Sequence, residues 1–246
     1  MFARKSLYFV LPLIAMVLMG CGTVNFGFSS VRGSGTLMTE ERVVSGFEKV
    51  VIEGSGDLYV VQGNEEGLTI EAEDNLMEYL TSEVRDNTLV LGFKEGISVS
   101  PTKGIRYNLK VKNLSDISVA GSGNIHMDTF KTDALSLAIA GSGNATIKDL
   151  AATSLRIESS GSGNFEVSGS AAKVDVNISG SGKYKAGDLE SDDTSITIGG
   201  SGEAVVWANT SLKVQVSGSG DISYYGQPKV TQSISGSGAV KSLGSK

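Results

Sequence analysis

The stretch Leu135-Ser-Leu-Ala-Ile-Ala-Gly-Ser-Gly-Asn-Ala-Thr-Ile-Lys148 reads as two short strands joined at a tripeptide corner. Before the corner, Leu135, Leu137 and Ile139 alternate with Ser136, Ala138 and Ala140. After it, Ala145 and Ile147 alternate with Thr146 and Lys148. A period of two sends alternate side chains to opposite faces, so one face is apolar and the other wet. The pattern returns around later corners. Leu155 and Ile157 lead to Gly161, then Phe165 and Val167; Val174, Val176 and Ile178 lead to Gly180, then Tyr184 and Ala186. Leu212, Val214 and Val216 lead to Gly218, then Ile222 and Tyr224.

Gly-Ser-Gly begins at Gly33, Gly54, Gly121, Gly141, Gly161, Gly180, Gly200, Gly218 and Gly236, and the last seven are 20, 20, 19, 20, 18 and 18 residues apart. A repeat this steady is the mark of a solenoid, in which each unit buries its apolar face only against its neighbours. The expected architecture is all-β: a single-stranded parallel β-helix with rungs roughly 4.8 Å apart. Stacking superimposes apolar on apolar and glycine on glycine. The central serines (Ser122, Ser142, Ser162, Ser181, Ser201, Ser219, Ser237) are expected to form a hydroxyl ladder along one corner, with Asn124, Asn144 and Asn164 as an amide ladder beside it.

The chain before Gly121 is less regular. Val31 to Leu37 and Val50 to Val60 carry the Gly-Ser-Gly rung pattern, but 67 residues separate Gly54 from Gly121 and break the period. Within them, Leu68-Thr-Ile-Glu-Ala72, Thr88-Leu-Val-Leu-Gly92 and Ile105 to Val111 read as strands, and Asn75 to Thr81 as a helical turn. The expected organisation is an N-terminal β-subdomain over 31–103, continuous with a regular β-helix over 104–246, with a soft boundary at Pro101 to Gly104.

The start of the chain reads as a targeting segment over 1–20. Arg4 and Lys5 precede an apolar run from Leu7 to Leu18, of signal-peptide length and short for a membrane span. It ends in Leu18-Met-Gly-Cys21, which resembles a lipobox, making Cys21 the expected lipid attachment site and 21–30 a tether. Cys21 is the only cysteine, so no internal disulfide is available, and lipidation accounts for a thiol that is otherwise awkward in an oxidising compartment. Gly22 rather than Asp follows it, which by analogy with enteric bacteria favours the outer membrane; periplasmic or cell-surface orientation stays open. The expected localisation is therefore an exported, membrane-anchored lipoprotein.

Two segments carry a family resemblance. Val43-Val-Ser-Gly-Phe-Glu-Lys-Val-Val-Ile-Glu-Gly-Ser-Gly56 resembles the opening of the "putative auto-transporter adhesin, head GIN domain" family, and Asn113-Leu-Ser-Asp-Ile-Ser-Val-Ala-Gly-Ser-Gly-Asn124 resembles its mid-chain motif. The resemblance covers about 43–240. It implies a right-handed parallel β-helix, often carried on bacterial lipoproteins. The family has no assigned function, its adhesin label is a similarity inference, and it brings no catalytic residues.

The chemistry available is narrow. With 27 Asp+Glu against 21 Lys+Arg and no basic block, the chain does not look like a nucleic-acid binder. A calcium nonapeptide repeat needs a recurrent Asp, whereas the residue after each corner varies through Asp57, Asn124, Lys183, Glu203 and Ala239. His126 is the only histidine and takes an outward phase, which leaves little for a zinc site or a Ser-His-Asp triad. No metal, cofactor or catalytic set is expected. Gly-Ser-Gly followed by strand is not a phosphate loop, which opens a helix.

Polysaccharide chemistry is the alternative. Glu158, Glu166, Asp175, Asp188, Glu190 and Asp192 could face outward near one another, and glycosidases need two opposed carboxylates. Trp207, the only tryptophan, and Tyr225 also point outward and form a pair only if their rungs align. They are the candidate ligand contacts. The leading expectation is a non-enzymatic, lipid-anchored scaffold with a binding, structural or adhesive role; the second is a carbohydrate-binding or carbohydrate-active β-helix. An envelope protein or a glycan is the expected partner. The short Val240 to Lys246 segment leaves the last rung uncapped, so its edge is expected to be covered by a partner, by a second copy, or by the charge of Lys241 and Lys246.

Overall fold

The computed structural model describes residues 29–246, and with 74% strand against 2% helix the core is built mainly from strands. The targeting segment 1–20, Cys21 and the tether up to residue 28 lie outside the described residues; Ser29 and Ser30 already belong to the first strand. In chain order β1 (Ser29–Arg32), β2 (Leu37–Arg42), β3 (Lys49–Gly54), β4 (Asp57–Gln62) and β5 (Gly67–Glu73) precede one helical turn, α1 (Asp74–Met77). Next come β6 (Leu80–Arg85), β7 (Thr88–Phe93), β8 (Ile97–Ser100), β9 (Arg106–Val111) and β10 (Asp116–Gly121). The long strands β11 (Ile125–Gly141), β12 (Asn144–Gly161), β13 (Asn164–Gly180), β14 (Lys183–Gly200) and β15 (Glu203–Gly218) each run from one corner to the next. β16 (Asp221–Tyr225), β17 (Lys229–Gly236) and β18 (Val240–Gly244) follow.

The long strands pair in parallel, in register at each corner and with local slips between corners, forming a β-solenoid of about 6 turns. Gly54, Gly121, Gly141, Gly161, Gly180, Gly200, Gly218 and Gly236 stack as one column. Apolar columns run inside. Val50, Ile117, Leu137, Ile157, Val176, Ile196 and Val214 make one, all buried. Another reads Leu58, Ile125, Ala145, Phe165, Tyr184, Ala204 and Ile222, where two aromatic rings are flanked by alanines. Large beside small fills the interior, and each buried branched or aromatic side chain contributes about 1.5–3 kcal/mol.

The corners show why glycine recurs. Gly141 has φ +141, and a Cβ there would lie 2.1 Å from the Gly121 carbonyl oxygen of the rung below. Both the dihedral and the closeness of the rungs exclude a side chain. The serine ladder is held by the main chain: the N–H of Ser142 donates to Gly121 O at 3.1 Å and that of Ser162 to Gly141 O at 3.0 Å, while the hydroxyls face solvent. The amide ladder runs through side chains. Asn164 Nδ2 donates to Asn144 Oδ1, Asn144 Nδ2 to Asn124 Oδ1 (both 2.9 Å), and Asn124 Nδ2 to Asp57 Oδ1 at 2.7 Å.

The irregular segment between the first two stacked corners is a cap. β3 and β4 form a solenoid rung directly beneath β10 and β11, so residues 49–62 belong spatially to the regular stack. β7 and β9 run parallel beneath β3 and β4. Under Gly54 and Gly56, where another Gly-Ser-Gly would sit, lie the rings of Phe93 and Tyr107, each 2.6 Å from where a Cβ would be. β6 on β7, and β5 on β9 with β2 outside it, then pair antiparallel and end the parallel stack. Arg42 ties the two sides, donating to Leu80 O at 2.8 Å and Met77 O at 3.3 Å.

Gly33-Ser34-Gly35, expected as a rung, is not one. It joins β1, which pairs with β8 in a separate two-stranded sheet, to the antiparallel β2. The loop wraps the buried Glu73 carboxylate, which accepts from the N–H of Gly35 at 2.6 Å and from the N–H and hydroxyl of Thr102 at 2.7 and 2.6 Å. A Cβ on Gly33 would collide with that carboxylate, so the glycine here makes room for a charge and not for another rung.

Candidate functional site

Three rungs on one outer face build the site. β14 pairs with β15 from Lys183 to Ala186, then slips, so that Glu190 faces Trp207. Residues 187–189 therefore bulge from the ladder on the β15 side, while Asp188 and Leu189 stay paired with Ser168 and Gly169 of β13. Leu189 turns into the core while Gly187 and Asp188 project outward. Bulges commonly re-aim side chains beside functional sites.

Trp207 on β15 and Tyr225 on β16 are register partners, so the two aromatic side chains stand on adjacent rungs of one face. Both side chains are half-buried. The indole is fixed by a relay: Trp207 Nε1 donates to Asn209 Oδ1, and Asn209 Nδ2 donates to Glu190 Oε1, each at 3.0 Å. On its other side, Ser191 Oγ donates to the Trp207 carbonyl at 2.7 Å and is hydrogen-bonded to Thr194. A Cβ on Gly187 would lie 3.2 Å from the Tyr225 ring, so a bare backbone lets the bulge lie against that ring.

Lys246 completes the arrangement. Its ammonium lies 5.4 Å from the Trp207 ring centroid and 5.0 Å from that of Tyr225, and it donates to the Gly187 carbonyl and the Asp188 carboxylate. Both ring distances are within the reach of a cation–π contact. Lys246 thus sits on the side face and not over the last rung. Among the described residues, β18 pairs with β16 alone and β17 with β15 alone.

The remaining candidates sit apart from it. His126 points outward and is half-buried because its ring stacks on Tyr59, with centroids 4.6 Å apart and planes at 19°. Arg106 covers the same Tyr59 ring at 5.1 Å. Of the outward carboxylates, Glu158 pairs with Arg156 at 2.6 Å and thereby raises the guanidinium's pKa, while Asp175 accepts from Asn177 Nδ2 at 3.0 Å. Glu166 and Asp192 are exposed on β13 and β14. These carboxylates lie along successive rungs and not across a cleft. The partners of the aromatic pair, Gly187, Asp188 and Lys246, were not singled out together by sequence. The first two depend on a register slip, and the third on how the chain returns after β18.

The family comparison matches residues 46–228. The chain belongs to the family described as "putative auto-transporter adhesin, head GIN domain". The matched head GIN span contains Trp207, Tyr225 and the 187–189 bulge, and Lys246 lies beyond it. Among solved structures, one described as a putative adhesin from Bacteroides fragilis NCTC 9343 is 28% identical, with a TM-score of 0.82, covering 87% of this chain and 100% of its own. A putative lipid binding protein from Parabacteroides distasonis ATCC 8503 is 26% identical, with a TM-score of 0.72 over 87% of this chain and 100% of its own. A putative adhesin from the same Parabacteroides distasonis strain is 26% identical, with a TM-score of 0.67 over 87% and 100%. No curated protein matches the chain.

Proposed function

We propose that this head GIN protein is a lipid-anchored component of a bacterial envelope, and that its solenoid is a rigid, non-enzymatic binding surface of an adhesive or structural kind. The observation that carries it is the continuous parallel ladder from β3 to β15, which keeps its register at every glycine corner and slips only locally within the long strands. That register holds outward side chains at fixed positions and fills the interior with side chains. Preorganised surfaces of this kind lose little entropy on binding. The adhesin descriptions of the Bacteroides and Parabacteroides structures agree with a surface or envelope role. The lipid-binding description of the other Parabacteroides structure does not suggest an internal lipid here, because the inward columns are packed. Anchorage rests on the Leu18-Met-Gly-Cys21 segment, with an outer-membrane site following from Gly22. Several buried acyl chains bind a bilayer firmly where one is marginal.

The contact surface we assign is the Trp207–Tyr225 face. Sugar stacking there ranks second, since Lys246 lies over both rings. The test has two arms in the producing bacterium. Cys21→Ser is expected to move the protein from the membrane fraction to the soluble fraction and to abolish metabolic labelling by an alkyne fatty acid. Trp207→Ala is expected to lower attachment of the displayed protein to host-matrix and envelope fractions while leaving it anchored. Unchanged fractionation of Cys21→Ser without label in either form overturns the anchor; unchanged attachment of Trp207→Ala overturns the contact face.

A further inference from the structure

We propose that the 187–188 bulge and the Trp207–Tyr225 pair form a receptor for a lysine ammonium group, filled by Lys246 of the same chain and open to a lysine presented by another protein. The inference deepens the contact-face assignment above and rests on it.

An ammonium carries three N–H donors and no acceptor. The site offers it what a cation needs in place of water. The Asp188 carboxylate and the Gly187 carbonyl accept two hydrogen bonds, and the faces of Trp207 and Tyr225 supply the rest of the shell at 5.4 and 5.0 Å. Each of these groups belongs to β14, β15 or β16, in the body of the solenoid. Lys246 lies beyond β18 and contributes nothing to the sheet, so the receptor persists when its side chain is removed.

The site is also shaped before any ligand arrives. The indole is locked through Asn209 to Glu190, and Gly187 carries no side chain to hold the bulge off Tyr225. Glu190 adds a second negative charge close by, and the whole chain carries a formal net charge of −6. Such a field draws cations and repels anions. It selects a lysine side chain over a phosphoethanolamine headgroup, whose phosphate would approach Asp188 and Glu190. A quaternary ammonium keeps the ring contacts but cannot donate to Asp188 or Gly187. Because Lys246 occupies the receptor in cis, it acts as a built-in competitor, and an incoming lysine binds only by displacing it.

Trp207 is the only tryptophan, so its emission reports on the site without a label. The experiment titrates Nα-acetyl-lysine methylamide into the wild type and into Lys246→Ala, with far-UV circular dichroism confirming the fold and Lys246→Gln as a second uncharged variant. In both variants a saturable change in emission is expected, with a Kd on the order of 10 mM. The wild type should need several-fold more ligand. Asp188→Asn added to Lys246→Ala should weaken binding several-fold, and Nα-acetyl-norleucine methylamide should give no saturation. The proposal is overturned if the variants do not saturate, if the wild type and variants respond alike, or if the norleucine probe matches the lysine probe. Phosphoethanolamine, or vesicles containing phosphatidylethanolamine, competing as well as the lysine probe would overturn the lysine assignment. A failed titration removes the receptor alone, because attachment by Trp207→Ala is measured separately.

Discussion

Three alanine substitutions separate the two reasons for glycine at a solenoid corner. Gly46 has φ +77 and nothing within 4 Å of where a Cβ would go, so Gly46→Ala pays only for the left-handed backbone. That strain is roughly 1–2 kcal/mol, offset in part by about 0.4–1 kcal/mol from a stiffer unfolded chain. Gly143 has no left-handed φ, but its Cβ would sit 2.1 Å from the Gly123 carbonyl oxygen. Contact at an ordinary distance would require the rungs to part by about 1 Å, against the hydrogen bond from Ser142 N–H to Gly121 O at 3.1 Å. Overpacking of this kind costs about 1–3 kcal/mol, and a lost ladder bond adds roughly 1 kcal/mol. Gly143→Ala should therefore lose about 3 kcal/mol, and Gly141→Ala, which combines φ +141 with the same 2.1 Å approach, should lose more. At roughly 2–4 °C per kcal/mol for a domain of this size, Gly143→Ala lowers Tm by about 6–12 °C. Urea unfolding followed by far-UV circular dichroism gives the free energies. Equal losses in Gly143→Ala and Gly46→Ala, to within about 0.5 kcal/mol, would refute close rung approach as the constraint.

Two further substitutions probe polar groups inside the fold. Tyr184 is buried between Phe165 and Ala204, its hydroxyl has no hydrogen-bond partner among the described residues, and burial pushes its pKa far up. Tyr184→Phe removes an unpaid desolvation and should raise stability by about 1 kcal/mol, read as a higher urea midpoint at unchanged slope; a drop would mean that the hydroxyl is satisfied in solution. Glu73 is held below its ordinary pKa of 4.5, first by the Thr102 hydroxyl and then by the main-chain N–H groups of Thr102 and Gly35, with burial opposing. A depressed folded-state pKa stabilises above the unfolded value and loses that contribution as pH falls through the folded one. Urea midpoints of the wild type should therefore fall more steeply below pH 4.5 than those of Glu73→Gln, which starts lower at neutral pH; parallel curves would remove Glu73 from the acid response.

What was legible in the sequence follows from translation along the stack. Wherever one rung copies the next, a residue's neighbours are those one period away. The column of Val119, Ile139 and Ser159, the amide ladder from Asn124 to Asn164 and the placing of Trp207 beside Tyr225 were all contained in the spacing of the corners. The cap was not, because β6 and β5 pair antiparallel with strands that no repeat relates to them. Leu68 to Ala72, Thr88 to Gly92 and Ile105 to Val111 showed as strands by alternation, but their partners did not, and the helical turn expected over 75–81 ends at Met77 because Leu80 and Thr81 already belong to β6. Gly33-Ser34-Gly35 misled because the tripeptide alone does not distinguish a corner from a loop around a carboxylate 38 residues away. The 187–189 bulge escaped for a related reason: a register slip interrupts periodicity, and it is where Asp188 gains its place beside the rings.

The cap also orients the site. β1 lies against β8, and Asn75 Nδ2 donates to the Arg32 carbonyl at 2.8 Å, so the described chain begins at the capped end. From β4 to β15 the ladder climbs through β11, β12, β13 and β14, which at roughly 4.8 Å per step puts Trp207 about 24 Å above the first rung. With Cys21 lipidated as proposed, the anchor would lead into the described chain at its capped end. If the solenoid stood upright on that anchor, the Trp207–Tyr225 face would be held clear of the headgroups, where a partner could meet it from the side. In that orientation a lipid of the anchoring membrane would lie too far from the rings to be their ligand. A protein-borne lysine is the occupant we propose for the place beside Asp188 that Lys246 fills.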